Sequence, residues 1–562
     1  MIPRGSGRRV ALVVVISGLV VVVVTLLANR HPPEAAGPAN PATSTLTLAL
    51  PGPFNGCSAL SPDVNASSAA VLDLIRPSAF LVGPTNELSG EGGAVVSAEL
   101  ISLHPEKVVY SIDPKMIWSN GRHFSVTDLV AWWRSARLLW SVSGDGYRHI
   151  ASMEVNKKRT AVTATFSTDF ADWNLLFRDV EQSGTTRSCD VSQLRTQPSL
   201  GPYRVQSASP ERIVLTSNAE WTNNYNRFHR IIVTSSDQLP TRATQYFVGY
   251  EPVATKSLVE NLVAHPQFLG QFANSSDVEE LTFSPRDPTT SRQSVRTALA
   301  WLLDRRTILA RLFGSFTFTP SVPTSALFSQ GQVDYPLANT VIKPTASNAT
   351  LVDPSQDCRP CAISILHRLG YSINSRVWRA PGGAPLRVIL AVGPTALDRS
   401  TASLITQQWR TLGIEVRVLS ASSDALAATM AAVGTASAAV FDRPTSTTPW
   451  TSARSWDLTP YVDAYPSGVH SSSTHQLFLL AQATFNPSTA AQTWLKIDHR
   501  ILTEFWVRPL YTVPSLIEYS GPVANVVPSL SLGGLVDQVS NWGIAVPSTS
   551  TTVVKPPSPT IG

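Results

Sequence analysis

Charged residues are scarce in this chain of 562 residues, where Asp, Glu, Lys and Arg make up 15% of the sequence. Average globular proteins contain about 25%. Hydrophobic residues reach 43%, which excludes a disordered protein and leaves room for two or three cored domains. The net charge is +5, and four of these charges belong to Arg4, Arg8, Arg9 and Arg30 near the N-terminus. The rest of the chain therefore carries no charge excess that favours a nucleic-acid partner.

The short motifs of common catalytic sites are also absent from the sequence. The ten histidines form no H-E-x-x-H pair, and there is no G-x-S-x-G and no glycine-rich phosphate-binding loop. A Ser-His-Asp triad needs no local motif, so hydrolysis stays an alternative. The sequence favours a protein that is not an enzyme, with no cofactor and no metal site.

Only one uncharged apolar run is long enough to cross a membrane. It covers residues 10–28, and at about 1.5 Å per residue it approaches the roughly 30 Å hydrocarbon core. This length favours an uncleaved signal anchor over a cleaved signal peptide, and the arginines before it predict an extracytoplasmic body. Residues 31–44 have the composition of a linker, and residues 547–562 that of a disordered tail.

Cysteine is rare, and an exported chain usually oxidises its cysteines. The four positions are Cys57, Cys189, Cys358 and Cys361. We expect Cys57 to pair with Cys189 and Cys358 with Cys361. The C-R-P-C spacing also fits a redox motif or half a zinc site, but no second C-x-x-C is present.

The apolar patterns predict an α/β body. Strands are expected at 46–50, 201–205, 212–217, 386–392 and 414–419, and helices after Ser125 and at 291–309, 361–369 and 403–411. The strand–helix–strand run over 386–419 indicates a right-handed βαβ crossover in a parallel sheet.

Seven short motifs follow one another along residues 45–545. They are W-S-N-G at 118–121 with V-T-D-L-V at 126–130, G-P-Y at 201–203, Asn218 with Trp221, and the segments 296–305, 361–371, 408–416 and 508–511. In this order they resemble the bacterial extracellular solute-binding proteins of family 5, the oligopeptide and dipeptide receptors of ABC importers.

The resemblance implies an α/β fold of the periplasmic-binding-protein type, with mixed sheets in two lobes and a hinge between them. Lobe I is expected at 45–279, with a subdomain at about 76–185, and lobe II at 280–504. Residues 505–546 are expected to return to lobe I.

The resemblance also implies an aspartate that receives the α-ammonium group of an extended peptide through a charge-assisted hydrogen bond. Asp442 stands at the corresponding position, but the Trp and Tyr of the family pattern are missing beside it. We expect this acid on a loop, where Arg443 could neutralise it, so a ligand contact and a structural acid are both open. Trp450 and Trp456 follow, with lining of the cleft and plain packing as alternatives. The candidate ligand-binding residues are thus Asp442, Arg443, Trp450 and Trp456.

The implied function is that of a peptide receptor for an ABC importer, with permease subunits as partners and the membrane as anchoring site. A non-transport envelope protein that reuses this fold, in cell-wall glycolipid assembly or regulation, is the alternative. The anchor and the altered Asp442 segment favour it, as do 36 arginines against 8 lysines, a ratio typical of GC-rich actinobacterial genomes.

Overall fold

The computed structural model describes residues 44–544 except 62–63, 83–87, 90–93, 140–141, 186–188, 222–227, 236–245, 315, 317, 330–356, 445–447, 457–465, 470, 522, 525, 527–534, 537–538 and 540–541. The expected anchor at 10–28, nearly all of the linker and the tail at 547–562 lie outside the described residues. Within the described part, no helix is both long and apolar enough to span a bilayer.

The body alternates strands and helices, as the sequence predicts. The strands are β1 Thr45–Leu50, β2 Leu81–Val82, β3 Leu88–Ser89, β4 Val95–Leu103, β5 Glu106–Ile112, β6 Ile150–Val155, β7 Ala161–Phe166, β8 Tyr203–Ala208, β9 Arg212–Ser217, β10 Arg230–Ser235, β11 Phe247–Glu251, β12 Leu269–Phe283, β13 Ser372–Asn374, β14 Val377–Arg379, β15 Arg387–Val392, β16 Glu415–Ser420, β17 Ala438–Pro444, β18 Val507–Ser520, β19 Val523–Ala524 and β20 Gly543–Ile544. The α-helices are α1 Ala66–Ile75, α2 Val126–Ala136, α3 Val142–Arg148, α4 Lys256–Ala264, α5 Gln293–Trp301, α6 Arg305–Phe313, α7 Arg359–Arg368, α8 Ala396–Thr411, α9 Asp424–Ala432, α10 Pro449–Ala453, α11 Ser472–Gln482 and α12 Pro487–Thr503.

Ten strands form one mixed sheet in the order β16-β15-β17-β12-β18-β11-β1-β10-β9-β8. A second sheet of four strands has the order β4-β5-β7-β6. The long strands β12 and β18 pair antiparallel at the centre of the main sheet. β12 also pairs with β17 on its other side, and β18 pairs with β11. These two strands therefore join the half of the sheet that contains β15–β17 to the half that contains β1 and β8–β11.

The predicted βαβ crossover is confirmed, since β15 and β16 are parallel neighbours and α8 connects them. The predicted hairpin of β8 and β9 is also present. The predicted helix after Ser125 begins with a capping box in which Asp128 accepts the Ser125 backbone N–H at 3.0 Å. Local capping chemistry thus fixes the start of α2.

The single helix predicted over 291–309 is wrong, because the structure has two helices there, α5 and α6. Asp304 separates them in an extended conformation, and its carboxylate accepts the Thr307 backbone N–H at 2.9 Å. An aspartate that caps a new helix therefore outweighs the continuous apolar periodicity of this segment.

Three large apolar cores lie around these sheets. The first joins the four-stranded sheet and α2 to α10, α11 and α12. The second lies between α5, α6, α8 and the strands β15 and β17, and the third surrounds β1, α1 and β8–β10. The lobe boundaries predicted at 279/280 and 504/505 remain predictions, and the first of them falls inside β12.

Both predicted disulfides are present. Cys57 is bonded to Cys189 with a Cα–Cα distance of 5.6 Å, and Cys358 to Cys361 with a Cα–Cα distance of 5.2 Å. Cys57 is buried in the third core. Cys358 caps α7, where its Sγ accepts the Cys361 backbone N–H at 3.3 Å.

Candidate functional site

The candidate site lies at the carboxyl ends of β15 and β17. These strands are parallel neighbours, so their carboxyl ends meet at the same edge of the sheet. Ligands of open α/β sheets bind at such an edge. Because β12 lies directly beside β17, this edge is also close to the place where the two halves of the main sheet join.

Four carboxyl groups from four elements meet at this edge, and we call them the acidic group. They are Glu279 of β12, Asp398 of α8, Asp424 of α9 and Asp442 of β17. Electrostatic interactions connect Glu279 with each of the three aspartates. The fold thus collects acids that are up to 163 positions apart in the sequence.

Register and helix starts explain how the acidic group forms. Glu279 is paired with Asp442 on one side and with Tyr511 of β18 on the other, so these three side chains share one face of the sheet. Asp398 is the third residue of α8, and its Oδ2 accepts the Thr395 backbone N–H at 2.7 Å. Asp424 is the first residue of α9.

Gly393, directly after β15, permits this close approach. A Cβ atom at this position would lie 2.3 Å from Asp424 Oδ1 and 2.5 Å from Asp398 Oδ2. Any side chain there would therefore have to push the two carboxylates away. Because residue 393 is glycine, the carboxyl groups of Asp398 and Asp424 can both lie close to the backbone of the turn between β15 and α8.

The acidic group has buried oxygens without donors. Glu279 and Asp398 are 0% exposed, while Asp424 and Asp442 are half-buried. Among the described residues, no N–H or O–H group donates to either carboxyl oxygen of Glu279, to Asp398 Oδ1 or to Asp442 Oδ1. Burial of unpaired polar oxygens is costly. The site therefore has acceptor capacity that a ligand can use.

Burial and repulsion between neighbouring carboxyl groups make Glu279, Asp424 and Asp442 hold protons more tightly than usual. Burial, and then the charges of Asp398 and Asp442, raise the pKa of Glu279 well above its usual range. Burial, and then Asp277 and the other acids, raise the pKa of Asp442 in the same direction. Burial together with Asp398 raises the pKa of Asp424 to about 6. A positively charged ligand group would relieve this repulsion.

The described residues contain no group of three or more His, Cys, Asp or Glu side chains placed to hold a metal ion. The chemistry that fits the acidic group is instead the binding of an ammonium or guanidinium group, which donates several hydrogen bonds to carboxylates.

Asp442 is in β17 and not on the expected loop. Arg443 does not neutralise it, because successive side chains of a strand point to opposite faces. The Arg443 guanidinium instead pairs with Glu280, with Nε 2.8 Å from Oε1. Both partners of this ion pair are almost fully buried. Of the two partners open to Arg443, the structure pairs it with Glu280 and not with Asp442.

The two tryptophans are buried, and their contacts favour packing. Trp450 donates its indole N–H to Gln482 Oε1 at 3.0 Å, and its ring makes an edge contact with Phe170 at 5.0 Å between ring centroids. The Arg443 guanidinium lies 5.5 Å from the centroid of the Trp456 ring. Direct contact of Arg443, Trp450 or Trp456 with a ligand remains a prediction.

Sequence reasoning missed Glu279, Asp398 and Asp424. A usable signal existed for the two aspartates, because each follows a predicted strand of the βαβ unit and begins a helix. Thr395 and Asp398 repeat the capping box seen at Ser125 and Asp128. Glu279 gave no local signal, since its role depends on the register between β12 and β17.

Comparison with known proteins places the fold. A family model described as bacterial extracellular solute-binding proteins, family 5 Middle, matches residues 105–465. The oligopeptide-binding protein OppA of Mycobacterium tuberculosis is 26% identical over 170 residues, which cover 28% of this chain and 29% of OppA. The probable monoacyl phosphatidylinositol tetramannoside-binding protein LpqW of the same organism is 26% identical over 172 residues, which cover 27% of this chain and 26% of LpqW. The chain thus spans less than a third of the length of these curated relatives.

Solved structures match over nearly their whole length. The periplasmic EDTA-binding protein EppA superposes with a TM-score of 0.74 at 20% identity, covering 92% of this chain and 98% of EppA. The oligopeptide-binding protein AppA from Bacillus subtilis, in complex with a nonapeptide, superposes with a TM-score of 0.65 at 13% identity, covering 92% of this chain and 100% of AppA. The predicted α/β fold of the two-lobed periplasmic-binding-protein type is confirmed.

Proposed function

We propose that this chain, which belongs to the bacterial extracellular solute-binding proteins of family 5, binds a solute that carries a positively charged group, and that this solute is a peptide. The observation that carries the proposal is Asp442. It lies at the carboxyl end of β17, is half-buried, and has an Oδ1 atom that no described donor reaches.

The amino end of a peptide fits this site chemically. An ammonium group has three donors, and Asp442 and Asp424 lie at the more exposed side of the acidic group. In a site from which water is excluded, each charge-assisted hydrogen bond is stronger than a neutral one. Two similar structures were solved with peptides, AppA with a nonapeptide and DppA from Helicobacter pylori with the peptide STSA. Both support a peptide as the ligand of this chain.

The proposal also covers where the protein is located in the cell and which protein it delivers the solute to. DppA is described as an ABC transporter-associated periplasmic binding protein, which supports delivery of the solute to the permease subunits of an ABC importer. The apolar residues 10–28 would anchor the chain in the cell membrane with the body outside the cytoplasm. Under this proposal, the native protein stays in the membrane fraction after a carbonate wash and keeps its N-terminus. Recovery of a soluble form beginning near residue 36 would overturn the anchor.

The similarity to LpqW supports a second candidate, an envelope protein that binds a glycolipid head group. Carboxyl groups can accept hydrogen bonds from sugar hydroxyls, but they repel the phosphate of a phosphatidylinositol. The acidic group therefore favours the peptide over the glycolipid.

A thermal-shift screen of the purified full chain separates the two candidates. The panel contains di- to pentapeptides, the same peptides with an acetylated N-terminus, and mannosylated phosphatidylinositol head groups. Free peptides should raise the melting temperature, and their acetylated counterparts should not, because acetylation removes the cation. Stabilisation by head groups alone would favour the envelope role. If acetylated peptides stabilise the protein as much as free peptides do, the peptide ammonium group does not contribute to binding.

A further inference from the structure

A large cavity lies outside the acidic group, at the other end of α8. Its volume is about 1050 Å³, and it is formed by the junction of α5 and α6, the first residue of α7 and the last turn of α8. Asp398 stands in the first turn of α8, whereas Thr411 of the cavity wall is its last residue. At about 1.5 Å per residue, these two positions are about 20 Å apart. The cavity is therefore separate from the acidic group.

Positive charge dominates the wall of this cavity. The charged residues of the wall are four arginines and two aspartates, namely Arg305, Arg306, Arg311, Arg359, Asp304 and Asp357. Arg305 is buried, and the other three arginines are exposed. We call this cavity the arginine pocket.

Both aspartates of the arginine pocket are already engaged by groups of the protein itself. Asp357 accepts the Arg305 Nε–H at 3.1 Å and also pairs with the buried Arg508. Asp304 caps α6, where its carboxylate accepts the Thr307 backbone N–H at 2.9 Å and the Thr307 hydroxyl at 2.7 Å. These two carboxylates therefore serve the fold.

The exposed arginines differ in how far they are balanced. Arg306 interacts electrostatically with Asp304. Arg311 and Arg359 form no ion pair with any residue in the described part of the chain. The arginine pocket thus offers two guanidinium groups to an anion.

The chemistry of the arginine pocket favours an organic phosphate. The planar guanidinium fork matches the oxygens of a phosphate, and a phosphate monoester carries about two negative charges at neutral pH, whereas a carboxylate carries one. The half-buried side chains of Val322, Leu404 and Leu412 form an apolar part of the wall. A cavity of about 1050 Å³ is also far larger than an inorganic phosphate ion and is of the size of pockets that hold organic ligands.

We propose that the arginine pocket is a second ligand site, which binds an organic phosphate monoester through Arg311 and Arg359. The apolar wall contacts the organic part of the ligand. This inference does not depend on the peptide, because it uses other residues at the opposite end of α8. The phosphate can belong to a soluble metabolite or to the head group of a lipid.

Calorimetry with matched probes tests the arginine pocket. The full chain is titrated at about pH 7.5, where the phosphate is fully ionised, with phenyl phosphate, with benzoate and with dihexanoyl phosphatidic acid. Phenyl phosphate should bind at least about tenfold more tightly than benzoate, because it carries the second charge. The double variant Arg311→Gln/Arg359→Gln should lose at least about tenfold in affinity for phenyl phosphate. Arg195→Gln/Arg212→Gln changes the net charge equally at two exposed arginines near the third core, and it should keep the affinity of the unsubstituted chain.

Each outcome bears on the proposal. Tighter binding of phosphatidic acid than of phenyl phosphate assigns the pocket to a lipid head group, and the reverse order assigns it to a soluble phosphate ester. Absence of heat with both phosphates, equal affinity for benzoate, or unchanged affinity in Arg311→Gln/Arg359→Gln overturns the site. Circular dichroism checks the fold of both variants. If the pocket variant is unfolded, the comparison of phenyl phosphate with benzoate on the unsubstituted chain decides.

Discussion

Replacement of Arg443 by methionine tests whether this residue acts in the fold or at the ligand. The change removes a buried cation and keeps most of the side-chain volume. The Arg443 Nε atom lies 2.8 Å from Glu280 Oε1, and the two side chains are only 5% and 4% exposed. Without Arg443, the Glu280 carboxylate is buried with no cation beside it, which typically costs about 3–5 kcal/mol of folding free energy.

The pH dependence of this loss follows from Glu280. Burial raises its pKa, and Arg443 opposes that shift, so Arg443→Met raises the pKa further. A carboxyl with a raised pKa in the folded state contributes stability at low pH that disappears as pH rises through the folded value. The variant should therefore lose less stability at about pH 5 than at about pH 8. A double variant with Glu280→Met also removes the unpaired charge, and it should recover most of the loss.

Urea unfolding followed by circular dichroism measures these differences, and calorimetry with a peptide measures binding. A packing role predicts a lower midpoint for Arg443→Met, recovery in the double variant, and unchanged peptide affinity in the fraction that is folded. The reasoning is refuted if Arg443→Met unfolds at the same urea concentration as the unsubstituted chain but no longer binds the peptide.

Three other predictions concern stability. Burial raises the pKa of Glu106 to about 8 and acts on other carboxyls in the same direction. Because such carboxyls stabilise the fold while they are protonated, the melting temperature should be higher at about pH 5 than at about pH 8. A higher melting temperature at about pH 8 would contradict this pH dependence. The Cys57–Cys189 disulfide closes a loop of 132 positions and the Cys358–Cys361 disulfide a loop of 3. Chain entropy therefore predicts that the free energy of unfolding falls by about 5 kcal/mol in Cys57→Ser and by about 1.5 kcal/mol in Cys358→Ser. Equal decreases in chemical unfolding would count against the entropic account. Trp450→Ala should destabilise the fold by about 3–5 kcal/mol and leave peptide affinity within about twofold, whereas lost affinity at full stability would make Trp450 a ligand contact.

Much of the fold was predictable from local signals. The βαβ crossover at β15–α8–β16 and the hairpin of β8 and β9 follow from apolar periodicity, and both are present. The helix predicted at 403–411 begins earlier, at Ala396, because Thr395 caps it with Asp398. The errors thus arose where a short polar side chain, at Thr395 or Asp304, set a helix end that periodicity alone does not reveal.

The candidate site was less predictable, for a physical reason. Asp442 was found through a resemblance, but its surroundings depend on contacts between elements that are far apart in the sequence. The register of β12 against β17 places Glu279 beside it, and the same pleat turns Arg443 to the other face. No pattern within β17 alone distinguishes an acid that Arg443 neutralises from one that repels three other acids.

The most direct test of the central claim compares the affinity of the unsubstituted chain and of Asp442→Asn for one peptide by calorimetry. Asparagine keeps the shape and one acceptor oxygen but removes the charge. Loss of a charged partner in a desolvated site typically costs about 2–5 kcal/mol, which is a decrease in affinity of roughly 30-fold to several thousand-fold. The melting temperature of the ligand-free variant should not fall, since burial already raises the pKa of Asp442 well above its usual range and disfavours its charge. A large loss of affinity at unchanged stability is the predicted result, and equal affinity of the two proteins would contradict the role of Asp442 as the residue that binds the ligand cation.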